Sequence, residues 1–294
     1  MRIGTIASLT EIERAFEHCE EIARRHYENF PVASLFLPRV LRPHVSCIYA
    51  FARTADDFSD EGSWGPEERL QKLDEWGARL HDCYAGKVQD SIFLALADTV
   101  RRYGIPRQPL ADLLDAFRAD VTKNRFPTFS EVLEYCKKSA NPVGRLILYL
   151  FKNANDRTFE LSDSICTALQ LANFWQDVAV DMAKGRIYIP LEDLDRFGYT
   201  ESDLLERKVD DRFRSMMEFE VCRTREIFAR GKPLLREATP RLRFELELTY
   251  RGGIAILDMI SSAKFGYDVL TRRPALSSPD KAVLLIKALM RTQV

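Results

Sequence analysis

Two pairs of aspartates have the spacing and the side-chain type that a divalent cation requires. Asp56 and Asp60 lie in the segment ARTADDFSDE, and Asp177 and Asp181 lie in QDVAVD, four residues apart in each case. Because a helix turns by about 100° per residue, side chains four residues apart face the same way. Oxygen ligands without His or Cys favour Mg²⁺, which takes its remaining ligands from water and from the phosphate oxygens of a substrate.

Other polar residues share these helix faces. Arg53 lies three residues before Asp56. In a helical projection, four polar residues of the second segment fall within about 80° of arc: Gln170, Asn173, Asp177 and Asp181. Burying a carboxylate costs several kcal/mol unless a cation or a donor faces it. This stripe therefore indicates either a metal site or structural salt bridges, and the first acidic segment is also compatible with the solvated end of a helix.

The elements that must position these side chains are helices. Apolar residues recur at every third or fourth position in SEVLEYCKKSA, DRFRSMMEFEVCRTREIFARG and LRFELELTYRGGIAILDMI. Thr10 with Glu13, and Thr128 with Glu131, have the spacing of capping boxes. The best strand-like stretch is the short RIYIP after Gly185. The pattern predicts an all-α fold.

The chain has the length and composition of a protein with one large core. It has 294 residues, of which 46% are apolar, and this is enough to bury a large core. No linker, repeat or change of composition divides it. We therefore expect a single helical domain over residues 1–294.

The charge balance, the cysteines and the apolar runs bear on the partners and the cellular compartment of the protein. The 43 basic and 44 acidic residues nearly cancel, which argues against nucleic acid as a ligand. The six cysteines are scattered singly and the chain starts without a signal-peptide pattern, so we expect reduced thiols and a cytoplasmic protein. The apolar run LILYLF is far shorter than the roughly 20 residues of a membrane span. Peripheral membrane contact stays open, and the sequence does not predict the oligomeric state.

The chain resembles the head-to-head prenyl synthases, the squalene and phytoene synthase family, along nearly its whole length. Four stretches carry the resemblance: F-x-x-A-x-x-x-L-P (Phe30 to Pro38), YAFARTADDFSDE (Tyr49 to Glu61), YCKKSANPVG (Tyr135 to Gly144) and ALQLANFWQDVAVDMAKGRIYIP (Ala168 to Pro190). The last is long and specific. The resemblance implies a fold of the isoprenoid synthase type, in which helices surround a central cavity and the two acid-rich helices face each other across its mouth.

The resemblance also implies roles for individual residues. The implied catalytic residues and Mg²⁺ ligands are Asp56, Asp60, Asp177 and Asp181, with Asn173 as an additional metal ligand. The implied substrate-binding residues are His26, Asn29, Tyr49, Arg53, Gln170, Asn173, Tyr188 and Arg272. Glu28 stands where relatives often carry a basic residue, and Asp57 is expected to support the site. Tyr49, Gln170 and Tyr188 are equally compatible with local packing, and either Arg272 or the adjacent Arg273 with a surface role.

The segments ENFPVAS, SANPVGR and NFWQDVAVD are similar to the hydroxysqualene synthases of bacterial hopanoid pathways. This implies Mg²⁺-dependent conversion of presqualene diphosphate to hydroxysqualene by ionisation, carbocation rearrangement and capture by water. The alternatives are synthases of presqualene diphosphate from farnesyl diphosphate, or of squalene, dehydrosqualene or phytoene, although the last two usually carry Arg at the position of Gln176. No G-x-G-x-x-G fingerprint follows a strand, which gives no support for a nicotinamide cofactor. A different helical terpene enzyme and a non-catalytic assembly protein are alternatives of other classes.

Gly252 and Gly253 stand inside the helical segment TYRGGIAILD, where glycine costs up to ~1 kcal/mol relative to alanine. One explanation is that the missing side chains leave room for a water or a bent intermediate near a carbocation. The other is close packing of two helices.

Overall fold

The computed structural model describes residues 9–25, 37–88 and 90–292, and their regular structure is helical. Fifteen helices run in chain order: α1 (Leu9–Arg25), α2 (Arg42–Asp60), α3 (Pro66–Tyr84), α4 (Ser91–Tyr103), α5 (Gln108–Thr122), α6 (Phe129–Ser139), α7 (Asn141–Leu150), α8 (Asp156–Gln176), α9 (Val178–Ala183), α10 (Leu191–Arg196), α11 (Glu201–Leu205), α12 (Asp211–Gly231), α13 (Leu234–Glu237), α14 (Pro240–Ile260) and α15 (Ser278–Thr292). Within these ranges the nearest approach to a sheet is one isolated parallel bridge between Arg125 and Ile187. The predicted all-α class is confirmed.

The packing divides the chain into two compact units. The amino-terminal unit consists of the described parts of Met1–Thr122 and Arg145–Ala154, and the carboxy-terminal unit of Lys123–Gly144 and the described part of Asn155–Val294. A single domain over residues 1–294 stays a prediction.

In the amino-terminal unit, an aromatic cluster fixes the helix that carries the first pair of aspartates. Phe51 on α2 is fully buried and stacks on Trp76 of α3, with ring centroids 6.0 Å apart. Trp76 in turn contacts Phe93 of α4 at 4.6 Å and donates from Nε1 to the backbone oxygen of Phe51 at 3.3 Å. Large aromatic side chains contribute much of the burial energy of a core. The end of α2 is thereby held in place.

In the carboxy-terminal unit, α8 packs closely on α12. The indole Nε1 of the fully buried Trp175 donates to Thr224 Oγ1 at 2.8 Å. Near the end of α12, a Cβ atom on Gly231 would lie 2.7 Å from the backbone oxygen of Leu161 and 3.0 Å from the backbone nitrogen of Ile165. Only glycine allows the two backbones to approach so closely. This contact holds the helix that ends at the second acidic motif.

A buried ionic cluster ties α12 to the segment that follows GRIYIP. Arg223 of α12 binds Asp193 of α10 at 2.7 Å and Glu220 of its own helix at 2.5 Å. The Arg223 guanidinium also lies 3.6 Å from the ring centroid of Phe129. Burial raises the pKa of Glu220 to about 8, although the charge of Arg223 acts in the opposite direction. The cluster therefore depends on its single arginine.

The predicted caps have different outcomes. Thr128 is the N-cap of α6, where its side chain accepts a hydrogen bond from the backbone N–H of Glu131. Thr10 lies inside α1, which the structure describes from Leu9 onward, so its prediction as an N-cap is wrong.

None of the helices in the described ranges is long and apolar enough to cross a membrane.

Candidate functional site

The first pair of aspartates lies at the carboxyl end of α2 and is held by an arginine. Arg53 Nη1 donates to Asp56 Oδ2 at 3.0 Å, and Arg53 Nη2 lies 2.5 Å from Asp57 Oδ1 and 2.9 Å from Glu61 Oε1. Burial works against the charge of Arg53, but these three carboxylates outweigh it and raise its pKa above the ordinary value. Asp60 ends the helix one turn after Asp56. Arg53 therefore offsets part of the negative charge of this segment, and Asp57 contacts the arginine; its supporting role stays a prediction.

The second pair lies at a break between two helices. The prediction of one continuous polar stripe is wrong here, because α8 ends at Gln176 and Asp177 has φ −108° and ψ 14°. Asp181 belongs to the first turn of α9. Its backbone N–H nevertheless donates to the Asp177 carbonyl at 2.9 Å. Asp177 and Asp181 therefore remain one turn apart, although the helix is interrupted at Asp177.

Asp177 is bound by two other polar residues, Asn173 and Arg273. Its carboxylate accepts from Asn173 Nδ2 at 2.8 Å and from Arg273 Nε at 2.5 Å and Nη2 at 3.2 Å. Its side chain is 18% exposed. The hydrogen bond to Asp177 and the charge of Asp181 raise the pKa of Arg273 above its ordinary value. The structure thus joins Asn173, Asp177 and Arg273 into one cluster.

Of the two adjacent arginines, Arg273 rather than Arg272 reaches this cluster. Arg272 lies over the ring of Phe265, donates to its backbone oxygen at 3.2 Å and lies 3.6 Å from Asp268. Gln176 Nε2 donates to the Pro274 oxygen at 2.6 Å and so fixes the segment that carries Arg273. The segment between α14 and α15 is not helical. Its sequence therefore has no helical periodicity from which the side-chain direction of Arg272 or Arg273 could be predicted.

The remaining predicted residues are in varied surroundings. Tyr188 is buried and stacks on Phe174 of α8, with centroids 3.8 Å apart and planes at 6°. Tyr49 on α2 and Gln170 on α8 are half-buried. His26 and Asn29 lie outside the described residues.

An apolar cavity of about 390 Å³ lies beside the Asp177 cluster, within the carboxy-terminal unit. Its lining comes from α8 (Leu169, Ala172, Asn173, Gln176), from α14 (Thr249, Gly252, Gly253, Ile256) and from the chain beyond α14 (Arg273, Ala275, Leu276, Lys281). Asn173 and Arg273 both bind Asp177 and both line the cavity. The acidic cluster and the apolar space are therefore neighbours, which is the arrangement that a substrate with an anionic head and an oily tail requires.

The two glycines of α14 differ in what they leave open. A Cβ atom on Gly252 would meet nothing within 4 Å. A Cβ atom on Gly253 would lie 2.5 Å from Phe228 Cζ and 2.8 Å from Leu169 Cδ2. The proposal of free space is therefore wrong for Gly253, where close packing is the reason for glycine. It stays open for Gly252.

We expect Gly253→Ala to destabilise the protein by about 1–3 kcal/mol, because the methyl group enters a filled core beside the buried Phe228. Gly252→Ala is the matched control, and it should be neutral or stabilising by up to ~1 kcal/mol. Urea denaturation of both variants measures the difference. Equal stability of the two variants would contradict this packing argument.

The donor set fits a hard cation that also binds substrate. Within the described ranges, no group of three or more His, Cys, Asp or Glu side chains is placed to hold a metal ion, so neither pair is a complete protein-only site. Two carboxylates with an amide oxygen, all hard oxygen ligands, suit Mg²⁺ that takes its other ligands from phosphate and water. Asp177 and Asp181 with Asn173 provide such a set.

Comparison with known proteins gives a consistent picture. The Squalene/phytoene synthase family model matches residues 23–280. The 15-cis-phytoene synthase of Synechocystis sp. is 32% identical, with 96% of this chain and 87% of the relative covered; that of Synechococcus elongatus is 30% identical, with 98% and 96% covered. The crystal structure of squalene synthase HpnC from Alicyclobacillus acidocaldarius is 40% identical and superposes with a TM-score of 0.84, with 89% of this chain and 97% of that chain covered. A dehydrosqualene synthase in complex with ligand shares the fold, at 24% identity, a TM-score of 0.86 and 97% and 98% coverage.

Proposed function

Because the chain belongs to the squalene/phytoene synthase family, whose enzymes act on prenyl diphosphates in isoprenoid biosynthesis, we propose a specific reaction for it. This reaction is the Mg²⁺-dependent conversion of presqualene diphosphate to hydroxysqualene. The observation that carries this proposal is the cluster of Asn173, Asp177 and Arg273 at the edge of an apolar cavity. The squalene branch is supported by the 40% identity to squalene synthase HpnC, compared with 32% to the phytoene synthase of Synechocystis.

In this proposal Asp56 with Asp60, and Asp177 with Asp181, would be the residues that hold Mg²⁺. The bound cation supplies charge that stabilises the diphosphate as it leaves. Asn173 orients the carboxylate of Asp177 through its 2.8 Å hydrogen bond.

Arg53 and Arg273 have a second role when substrate binds. Before binding, each is paired with an aspartate of the site, Arg53 with Asp56 and Arg273 with Asp177. Guanidinium groups bind phosphate oxygens in the same bidentate manner as carboxylates. We propose that each arginine would bind the diphosphate in place of its carboxylate partners when those aspartates are engaged by Mg²⁺. In the free enzyme, the ion pairs with the two arginines reduce the repulsion between neighbouring carboxylates.

The cavity contributes by excluding water from the carbocation. Leu169, Ala172 and Ile256 provide apolar walls between α8 and α14. A cation formed in such surroundings is protected from bulk water. Capture by a single water then gives the alcohol, and Gly252 leaves space on the wall for that water.

A phytoene synthase is the second candidate. It is favoured by the curated relatives from Synechocystis and Synechococcus elongatus, both of which are phytoene synthases. Such an enzyme joins two molecules of geranylgeranyl diphosphate. Gln176, which binds the Pro274 oxygen, occupies the position at which phytoene synthases of this family usually carry Arg.

Incubation of the purified protein with presqualene diphosphate and Mg²⁺, without a nicotinamide nucleotide, tests the proposal. We expect hydroxysqualene and free diphosphate, and no reaction after chelation of the metal. Turnover of farnesyl or geranylgeranyl diphosphate to dehydrosqualene or phytoene, without turnover of presqualene diphosphate, would contradict the proposal and favour the second candidate. Absence of diphosphate release from any of these substrates would favour a non-catalytic role.

A further inference from the structure

Glu245 of α14 is a buried acid without a partner. The residue is 7% exposed, and neither carboxylate oxygen has a hydrogen-bond partner among the described residues. Burial alone raises its pKa to about 7. A buried polar group that lacks a partner lowers stability. Such a residue therefore requires an explanation other than folding.

The position of Glu245 on α14 relates it to the cavity. Thr249, Gly252 and Ile256, which line the cavity, lie four, seven and eleven residues after Glu245. These spacings return to the same face of a helix. Glu245 thus belongs to the cavity face of α14, one turn before Thr249.

The direction of α14 shows at which end of the cavity Glu245 lies. The polar end, with Asn173, Gln176 and Arg273, is the end at which Arg273 binds Asp177. Trp175 of α8 contacts Thr224 of α12, and the earlier Leu161 meets the later Gly231, so α8 and α12 are antiparallel. Arg225 of α12 binds Asp258 of α14, and the later Phe228 contacts the earlier Tyr250, so α12 and α14 are antiparallel as well. It follows that α8 and α14 run in the same direction. Glu245 precedes Ile256 by eleven residues, about 16 Å along the helix at 1.5 Å per residue. It lies at the end remote from the acids.

We propose that Glu245 is a specificity-determining residue, which limits the length of the prenyl tail by placing a carboxyl group at the remote end of the cavity. The inference rests on the proposed function, in that the tail extends away from a diphosphate at Asp177. One more isoprene unit lengthens a tail by about one helical turn, ~5 Å. A tail that ends near Thr249 leaves the carboxyl group space for hydrating water, whereas a tail one unit longer removes that water and supplies no partner.

Glu247 provides an internal comparison. It is buried to the same degree, 6% exposed. Two residues further on, it lies about 200° around the helix from Glu245. It receives a hydrogen bond from Arg251 Nε at 2.8 Å. Its burial is therefore explained by an ion pair, and only Glu245 is left without one.

The test measures binding, so that it does not depend on which product forms. The thiolodiphosphate analogues of farnesyl and geranylgeranyl diphosphate, which resist ionisation, are titrated with Mg²⁺ into the wild type, Glu245→Leu, Glu245→Gln and Glu247→Gln. We expect the wild type to prefer the C15 analogue. Glu245→Leu should raise the affinity ratio of C20 to C15 on the order of tenfold, Glu245→Gln should raise it less, and Glu247→Gln should leave it unchanged.

Equal affinity of the wild type for both analogues, or a change of less than about twofold in a folded Glu245→Leu, would overturn the inference. Glu245→Leu should keep its fold, because it removes an unpartnered buried acid, and thermal unfolding checks this. If it does not fold, Glu245→Met takes its place with the same expected result. Failure of the proposed function is seen separately, as the absence of hydroxysqualene from wild-type assays with presqualene diphosphate.

Discussion

Replacing Asp177 with Asn should lower Mg²⁺-dependent release of diphosphate by about 10³-fold, because a hard cation loses one of its few charged ligands. The amide keeps the shape of the side chain and still accepts a hydrogen bond, while the bidentate ion pair with Arg273 is lost. The Asp177 side chain is 18% exposed and lies at the end of α8. We therefore expect Tm to change little, and steady-state assays together with thermal unfolding measure both quantities.

Two further variants make this result specific. Glu160→Gln removes an exposed acid from the same helix, where its contact with Arg157 is 3.8 Å long, and it should leave activity unchanged. Asp60→Asn removes a carboxylate from the first pair and should lower diphosphate release by a similar factor to Asp177→Asn. Activity of either aspartate variant within about tenfold of the wild type would contradict a role in holding the metal, and would return these residues to structural salt bridges.

Replacing Arg223 with Ala should have the largest effect on stability. The change leaves Glu220, which is fully buried, and Asp193, which is 3% exposed, without their shared cation. Breaking a buried ion pair by removing one partner costs about 3–5 kcal/mol, which corresponds to a fall in Tm of about 10 °C for a chain of this size. The lost contact with Phe129 acts in the same direction. Thermal and urea denaturation measure the loss.

The pH dependence of the stability loss in Arg223→Ala should show that the buried Glu220 causes it. Its folded-state pKa of about 8 lies above the ordinary value of 4.5, so its protonation stabilises the fold at low pH, and this contribution is lost as pH rises through about 8. Without Arg223 that pKa rises further, because a neighbouring positive charge is removed. The difference in Tm between Arg223→Ala and the wild type should therefore be larger at pH 9 than at pH 6.

Arg214→Ala is the matched control for the buried arginine. Arg214 is on the same helix, α12, but its partner Asp211 is fully exposed and lies 3.5 Å away. Exposed pairs contribute at most about 1 kcal/mol. The double variant Arg223→Ala with Glu220→Gln should recover part of the loss, because the buried charge is removed. An Arg223→Ala protein as stable as Arg214→Ala would contradict the importance of this cluster.

The sequence by itself determined the helical class, the two aspartate pairs and the family. These properties depend on short-range geometry, since a period of 3.6 residues places Asp56 beside Asp60 whatever surrounds them. The cap at Thr128 is equally local, because its side chain bonds to the backbone three residues later. Asp177 and Asp181 remained together for the same reason, even though α8 ends just before Asp177 and the expected continuous stripe does not exist.

Only the tertiary structure decided which of two similar, neighbouring residues makes a given contact or lacks one. Arg273 rather than Arg272 binds Asp177, a residue 96 positions away. Gly253 rather than Gly252 is packed against Phe228 and Leu169, and Glu245 rather than Glu247 is buried without a partner. Each pair is indistinguishable by residue type and nearly so by position. The deciding contacts come from distant segments, and no local pattern specifies which atoms those segments bring.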